Sequence, residues 1–222
     1  MKEKHFAILR RHMVEVIGIY VDLAADELGK PALDERVMAA IGRVPRHTFV
    51  PAPLAPYAYH DSPLPIGFDK TISQPFIVAV MTDLLEPRPE DVVLEVGTGL
   101  GYQAAVLSQL VDRVWSVEII EELAAEAEER LRQLGCGNVG LRIGDGALGW
   151  ADHAPYDKII VTSAAEQVPP ALTQQLKPGG RMVLPTGPSE GQKLTVVEKD
   201  AAGRTRLREL MSVRFGLLET VR

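Results

Sequence analysis

The sequence predicts an α/β fold: a doubly wound, mainly parallel sheet carrying an N-terminal helical extension. Three observations predict it. From residue 91 onward, short apolar runs alternate with segments of helical spacing, as they do where helices cover both faces of a sheet. The first run, Val92-Val-Leu-Glu-Val96, enters a turn with glycines at 97, 99 and 101 and then helical spacing from Tyr102. Ahead of all this, residues 5–29 place apolar side chains along one helical stripe, which needs a sheet or helices to lie against.

Taken in order, that stripe is Phe6, Leu9, Met13, Val16, Ile17, Tyr20, Val21 and Ala24, closed by Gly29 and Pro31. A second helix is expected from Asp34 to Ile41, with Asp34 near its start and Gly42 at its end. Residues 44–68 hold too many prolines for continuous helix or central strand. Their Phe49, Val50, Leu54, Tyr57, Tyr59, Leu64, Ile66 and Phe68 are too apolar for a free linker. An ordered irregular segment packed on the main domain is expected there, the kind of place where binding sites form. Pro75 marks the start of a helix running to Leu85, and Thr71, Ser73 and Gln74 just before it read as helix-capping groups.

The alternating part supplies strands at Val92–Val96, Arg113–Ile119, Val139–Gly144, Tyr156–Thr162 and Gly180–Leu184. Helices are expected at Tyr102–Leu110, Glu121–Leu134 and Val168–Leu176. Two further strands, Leu194–Glu198 and Leu207–Phe215, flank the turn Asp200–Arg204. A single domain over 1–222 is the expectation. It divides into an N-terminal part (1–68), a ligand-binding core (69–190) and C-terminal strands (191–222).

Composition narrows the function. With 30 acidic against 24 basic residues the formal charge is −6, which argues against a nucleic-acid partner. One cysteine, Cys136, excludes an internal disulfide and fits a cytoplasmic protein. No apolar run is long enough to span a bilayer, and charges at Lys2, Glu3, Lys4, Arg10 and Arg11 break the N-terminal apolar pieces, so no secretory signal or membrane partner is expected. The histidines at 5, 12, 47, 60 and 153 lack ligand spacing, so no metal is expected.

The candidate chemistry lies at the carboxyl ends of the strands, where such sheets take ligands. Glu95 and the turn Gly97-Thr98-Gly99-Leu100-Gly101 follow the first strand, Glu118 ends the second, Asp145-Gly146 follows the third and Thr162-Ser163 the fourth. A glycine-rich turn exposes bare backbone to a ligand, and a carboxylate about 20 residues later can take both hydroxyls of a ribose. Asp145 stands where it could accept from an adenine amino group. A dinucleotide site would want Gly or Ala where Tyr102 stands, and a tight turn without any ligand is also open. Gly-x-Gly-x-Gly with Glu95 two residues upstream resembles the first motif of S-adenosylmethionine-dependent methyltransferases.

A more specific resemblance covers about Asp34 to Arg214. The stretches Val44-Pro-Arg-His-Thr-Phe-Val50, Leu64-Pro-Ile-Gly67, Thr71-Ile-Ser-Gln-Pro75, Val93–Ala105, Val117-Glu118, Gly144-Asp-Gly146 and Leu176–Met182 resemble the protein-L-isoaspartate (D-aspartate) O-methyltransferase family. The element Thr71–Pro75 is the most specific, since methyltransferases at large lack it. The resemblance implies a Rossmann-like S-adenosylmethionine-dependent methyltransferase fold. The implied activity moves a methyl group onto the α-carboxylate of L-isoaspartyl residues, and less well onto D-aspartyl, in damaged peptides and proteins. S-adenosylhomocysteine is left, and the ester closes to a succinimide whose hydrolysis returns some aspartate.

It further implies Ser73 as the catalytic hydroxyl orienting the acceptor. Thr71, Ile72, Gln74, Val213 and Arg214 would contact the acceptor peptide, and Glu95, Gly97, Thr98, Gly99, Gly101, Glu118, Asp145 and Gly146 the cofactor. A carboxylate is ionised at neutral pH, so no strong base is needed; hydroxyls and backbone N–H groups at a helix start could hold it. A monomer is expected. Two departures stand out: Asp69-Lys70 replaces the usual Gly-Gln, and Val213-Arg-Phe-Gly-Leu-Leu218 replaces Val-Arg-Phe-Val-Pro-Leu, so the substrate-facing strand is expected to end or bend at Gly216. Two other readings stay open: a methyltransferase of the same fold acting on a small molecule or RNA, and a cofactor-binding module without catalysis.

Overall fold

The computed structural model describes residues 2–221. Helix α1 (Glu3–Leu23) buries Phe6, Met13, Ile17 and Val21, the stripe its spacing predicts. It breaks at Ala24 into the short α2 (Ala25–Leu28), which Gly29 closes in the left-handed region. Helix α3 (Glu35–Arg43) begins where the Asp34 side chain accepts the Arg36 amide at 2.7 Å, and it runs past Ile41.

The proline-rich stretch is more regular than expected. After 3-10 turns at Arg46–Phe49 and Ala52–Tyr57, strand β1 (Leu64–Gly67) pairs antiparallel with β2 (Lys70–Ile72). An isolated two-stranded ribbon has only edges, so Pro65 forfeits no essential ladder bond. At the tip, Phe68 (φ 53°) and Asp69 (φ 55°) are both left-handed, as a two-residue hairpin turn with matching twist requires. Asp69 therefore fills a glycine-type position, one that aspartate tolerates better than most side chains. Helix α4 (Pro75–Leu84) follows, with Pro75 in its first position.

The main sheet is built from β3 (Val92–Val96), β4 (Arg113–Glu118), β5 (Val139–Ile143), β6 (Tyr156–Val161), β7 (Leu176–Thr186), β8 (Lys193–Lys199) and β9 (Thr205–Ser212). Its order is β5-β4-β3-β6-β7-β8-β9. The first five are parallel, and β8 and β9 join antiparallel. Helices α5 (Tyr102–Leu107), α6 (Glu121–Gln133) and α7 (Pro170–Gln175) make three of the crossovers, and the 3-10 turns Gly146–Leu148 and Ala151–His153 lie in the one from β5 to β6. The chain winds from β3 outward to β5 and then returns to β6 on the other side of β3. The switch point thus lies at β3, where an open crevice is expected.

Alternation along the strands separates two cores. Val93, Val114, Ile160 and Val183 pack with α1, α3, α4 and α5, while Leu94, Val96, Val117, Ile159 and Met182 pack with Leu172 of α7 on the opposite face. From β3 onward, three boundaries differ from the sequence expectation by three residues or more. Helix α5 stops at Leu107, and β7 starts at Leu176, where Lys199 Nζ donates to the Thr173 and Leu176 carbonyls at 2.9 and 2.8 Å. Strand β9 ends at Ser212, before Val213 and Gly216. Gln192 takes over there: its carbonyl receives the Val213 amide at 3.1 Å, and its side chain exchanges bonds with Phe215 N and O at 2.6 and 3.0 Å. Gly216 does not make the bend; its carbonyl accepts from Ala164 at 2.8 Å in a strap laid across the strand ends.

Candidate active site

A cavity of about 710 Å³ opens at the carboxyl ends of β3, β4 and β6. One wall is the glycine turn with Glu118 and Gly146; the facing wall is the β1–β2 hairpin with Ser73, Gln74 and the start of α4; the strap from Met211 to Glu219 closes the third side. Ser73 and the glycine turn, far apart in sequence, line one space.

On the turn side, Gly97 sits at φ 90°. A Cβ there would lie 2.5 Å from Thr162 Oγ1, so glycine is demanded by conformation and by space. Thr162 Oγ1 donates to the Gly97 carbonyl at 2.6 Å, locking the turn to β6. Glu118 accepts the Gly99 amide on Oε2 at 2.7 Å and the Ile119 and Ile120 amides on Oε1 at 3.0 and 3.1 Å. Three backbone donors hold this nearly buried carboxylate at the cavity wall, and two carboxylate oxygens offer about four acceptor sites.

The remaining turn residues serve it from below. Glu95 shares the parity of Val93, so its side chain enters the core under α5 rather than the cavity. There it accepts from Ser116 Oγ, which is 2.5 Å from Thr98 Oγ1. Complete burial pushes the Glu95 carboxyl up to about 8; the Ser116 bond opposes this and the Glu118 charge adds to it. Thr98 and Ile72 line a small adjoining pocket with Ser73. Gly101 opens α5 (φ 96°) and packs on Leu131 of α6 rather than on the cavity. Gly146 lines the cavity. Asp145 has partners of its own: Oδ1 takes the Ala147 amide at 2.9 Å and Oδ2 the amide of Val221, just past the strap, at 3.0 Å.

On the acceptor side, Thr71, Ser73, Gln74, Val213 and Arg214 all reach the cavity. Ser73 follows β2 and precedes the Gln74 cap of α4. Among the described residues no histidine or carboxylate hydrogen-bonds to its hydroxyl, so no partnered base of the kind that activates a serine nucleophile stands beside it. Asp61 ties the helix entrance, accepting from Gln74 Nε2 at 2.6 Å and from the Phe76 amide at 2.8 Å. With Pro75 lacking an N–H and Phe76 committed to Asp61, these helix-start amides are not open to an acceptor carboxylate. Cationic Lys70 and Arg214 line the same space, and Lys70 is paired with Glu219 of the strap across the mouth.

Sequence reasoning missed Arg46, Asp61 and Ser116, whereas Ser163 stands at the strand end where it was expected. Ser163 Oγ is buried against the cavity with no hydrogen-bond partner among the described residues. Arg46 carried one legible signal, a cation in an apolar proline-rich stretch whose other formal charge is Asp61. Its guanidinium is fully buried, donating from Nε to the Ala58 carbonyl at 2.8 Å and from Nη2 to the Ser73 carbonyl at 2.7 Å. Among the described residues, no group of three or more His, Cys, Asp or Glu could hold a metal ion.

The donor wall fits a nucleoside with a chain attached: Gly97, Gly99 and Gly146 line it, and a carboxylate for hydroxyls stands at the tip of β4. A sheet of this order with that turn, that carboxylate and a separate acceptor wall has the fold and site of an S-adenosylmethionine-dependent methyltransferase. The family model described as protein-L-isoaspartate (D-aspartate) O-methyltransferase matches residues 26–220, and the chain belongs to that family. It is 55% identical over 219 residues to protein-L-isoaspartate O-methyltransferase 1 of Polaromonas sp. strain JS666, covering 99% of this chain and 93% of the relative. A solved protein-L-isoaspartate O-methyltransferase superposes with a TM-score of 0.80 at 28% identity, over 94% of this chain and 65% of that one. The fold is also shared with a Plasmodium falciparum structure described as a protein-L-isoaspartate O-methyltransferase in complex with S-adenosyl-L-homocysteine, with a TM-score of 0.74 at 20% identity, over 85% of this chain and 92% of that one.

Proposed function

We propose that this protein methylates the α-carboxylate of L-isoaspartyl residues, and less readily the side chain of D-aspartyl residues, in damaged proteins and peptides. The observation that carries the reading is that Ser73, within Thr71-Ile-Ser-Gln-Pro75, lines the same cavity as the Gly97–Gly99 turn.

Gly97, Gly99, Glu118 and Gly146 would hold S-adenosylmethionine, which when bound supplies an electrophilic methyl group on a sulfonium. Glu95, Thr98, Gly101 and Asp145 shape that half from beneath or beside it. Ser73 and Thr71 donate to the acceptor carboxylate and aim one of its oxygens, Arg214 and Lys70 balance its charge, and Val213, Ile72 and Gln74 shape the walls around the peptide. Alignment and exclusion of water supply the rate enhancement, since the acceptor arrives already ionised. The ester has lost the negative charge that protected the carboxyl carbon, so the following backbone nitrogen can attack it, expelling methanol and forming a succinimide.

Residues 1–222 act in this reading as one unit, a cytoplasmic monomer with no nucleic-acid or membrane partner. The acidic balance and the single cysteine support it, and among the described residues no helix is long and apolar enough to cross a membrane. The test is incubation with methyl-labelled S-adenosylmethionine and matched isoaspartyl and aspartyl peptides. Base-labile ester on the isoaspartyl peptide alone is expected; equal labelling of both, or of neither, contradicts the proposal.

A further inference from the structure

We propose that Arg46 is a positioning residue for the acceptor half of the site: its guanidinium sets where Ser73 stands relative to the glycine turn. The inference rests on the reading of Ser73 as the acceptor-orienting hydroxyl.

Ser73 lies in a gap. Strand β2 ends at Ile72 and the α4 cap is Gln74, so neither ladder nor helix takes up its carbonyl. Arg46 Nη2 does so at 2.7 Å. The same guanidinium bonds the Ala58 carbonyl through Nε at 2.8 Å, and its carbon sits 4.9 Å from the centre of the Tyr102 ring. Tyr102 is the first residue of α5, directly after Gly101. One rigid planar group thus connects the segment bearing the acceptor hydroxyl to the helix that issues from the cofactor turn.

The choice of residue supports a geometric role over a merely cohesive one. Arg46 is wholly removed from water and, among the described residues, meets no carboxylate within ion-pair distance. Burial lowers its guanidinium to about 10, which leaves it charged at neutral pH. A buried cation of this kind is a poor way to gain stability, since an apolar side chain of similar volume often does as well. What arginine adds is a fixed fork of donors, which aims two carbonyls at once in a way the single ammonium of lysine does not. The opposite side of Ser73 is pinned separately, through Asp61 on Gln74 and Phe76, so the peptide unit is clamped from both directions.

The test is a double-mutant cycle on the full chain with Arg46→Lys, Ser73→Ala and the combination. Turnover of an isoaspartyl peptide is measured beside S-adenosylhomocysteine affinity by calorimetry. Arg46→Lys is expected to lower kcat by about tenfold or more with S-adenosylhomocysteine affinity held within about threefold. Added to Ser73→Ala it is expected to cost little further, because residues acting through one another are non-additive. Losses that multiply, turnover near wild type in Arg46→Lys, or a variant that neither melts cooperatively nor binds S-adenosylhomocysteine would each overturn the proposal. Normal turnover in Ser73→Ala would overturn it together with the reading of Ser73; a Ser73→Ala defect with multiplying losses would overturn it alone.

Discussion

Glu118, at the tip of β4, receives the Gly99 amide on one carboxylate oxygen at 2.7 Å. The cofactor turn and the carboxylate beside it are therefore one mechanical unit, and losing the acid should loosen both. Hydrogen bonds to a charged group contribute roughly 1.5–3 kcal/mol, so Glu118→Ala should weaken S-adenosylhomocysteine binding by about tenfold to a hundredfold. Calorimetry reads this directly, and affinity within about twofold of wild type would contradict it.

The packing at Gly97 leads to a second expectation. Alanine there must adopt φ 90° with its Cβ 2.5 Å from Thr162 Oγ1. Strain of this kind costs about 1–3 kcal/mol, and each kcal/mol lowers the melting temperature of a chain this size by about 2–4 °C. Gly97→Ala should melt several degrees lower and lose cofactor affinity; a variant unchanged in both would show that the turn has room to spare.

Glu95 makes stability depend on pH. Its folded carboxyl is raised to about 8 from an ordinary 4.5, so between those values the native chain keeps a proton that the unfolded chain releases. The contribution is fully present below 4.5 and is lost as pH rises toward 8. Glu95→Gln cannot ionise, so its advantage over wild type should grow from pH 5 to pH 8 in denaturant titrations. Parallel curves across that window would refute this.

The parallel sheet was legible because buried strands and amphipathic helices write their periods into the sequence, and glycines mark the turn. The β1–β2 ribbon was not, because Pro63 and Pro65 argue against strands wherever both edges must pair. The end of β9 was set by Gln192, about 20 residues upstream of the bend in sequence, and nothing near Val213 announces it. In the site, Glu118 was legible from its place at a strand end and Ser73 only through the resemblance carried by Thr71–Pro75, and both line the cavity. Arg46 and Asp61 act through bonds to distant backbone, which periodicity does not encode. Glu95 was expected at the cofactor, and strand parity turns its side chain into the core instead, against Ser116.

The most direct measurement is Ser73→Ala assayed for isoaspartyl-peptide turnover and S-adenosylhomocysteine affinity in the same preparation. If Ser73 orients the acceptor across the cavity from Gly97 and Gly99, kcat should fall by about tenfold or more while cofactor affinity stays within about twofold. Undiminished turnover, or cofactor affinity falling in step with it, would contradict a cavity divided between donor and acceptor.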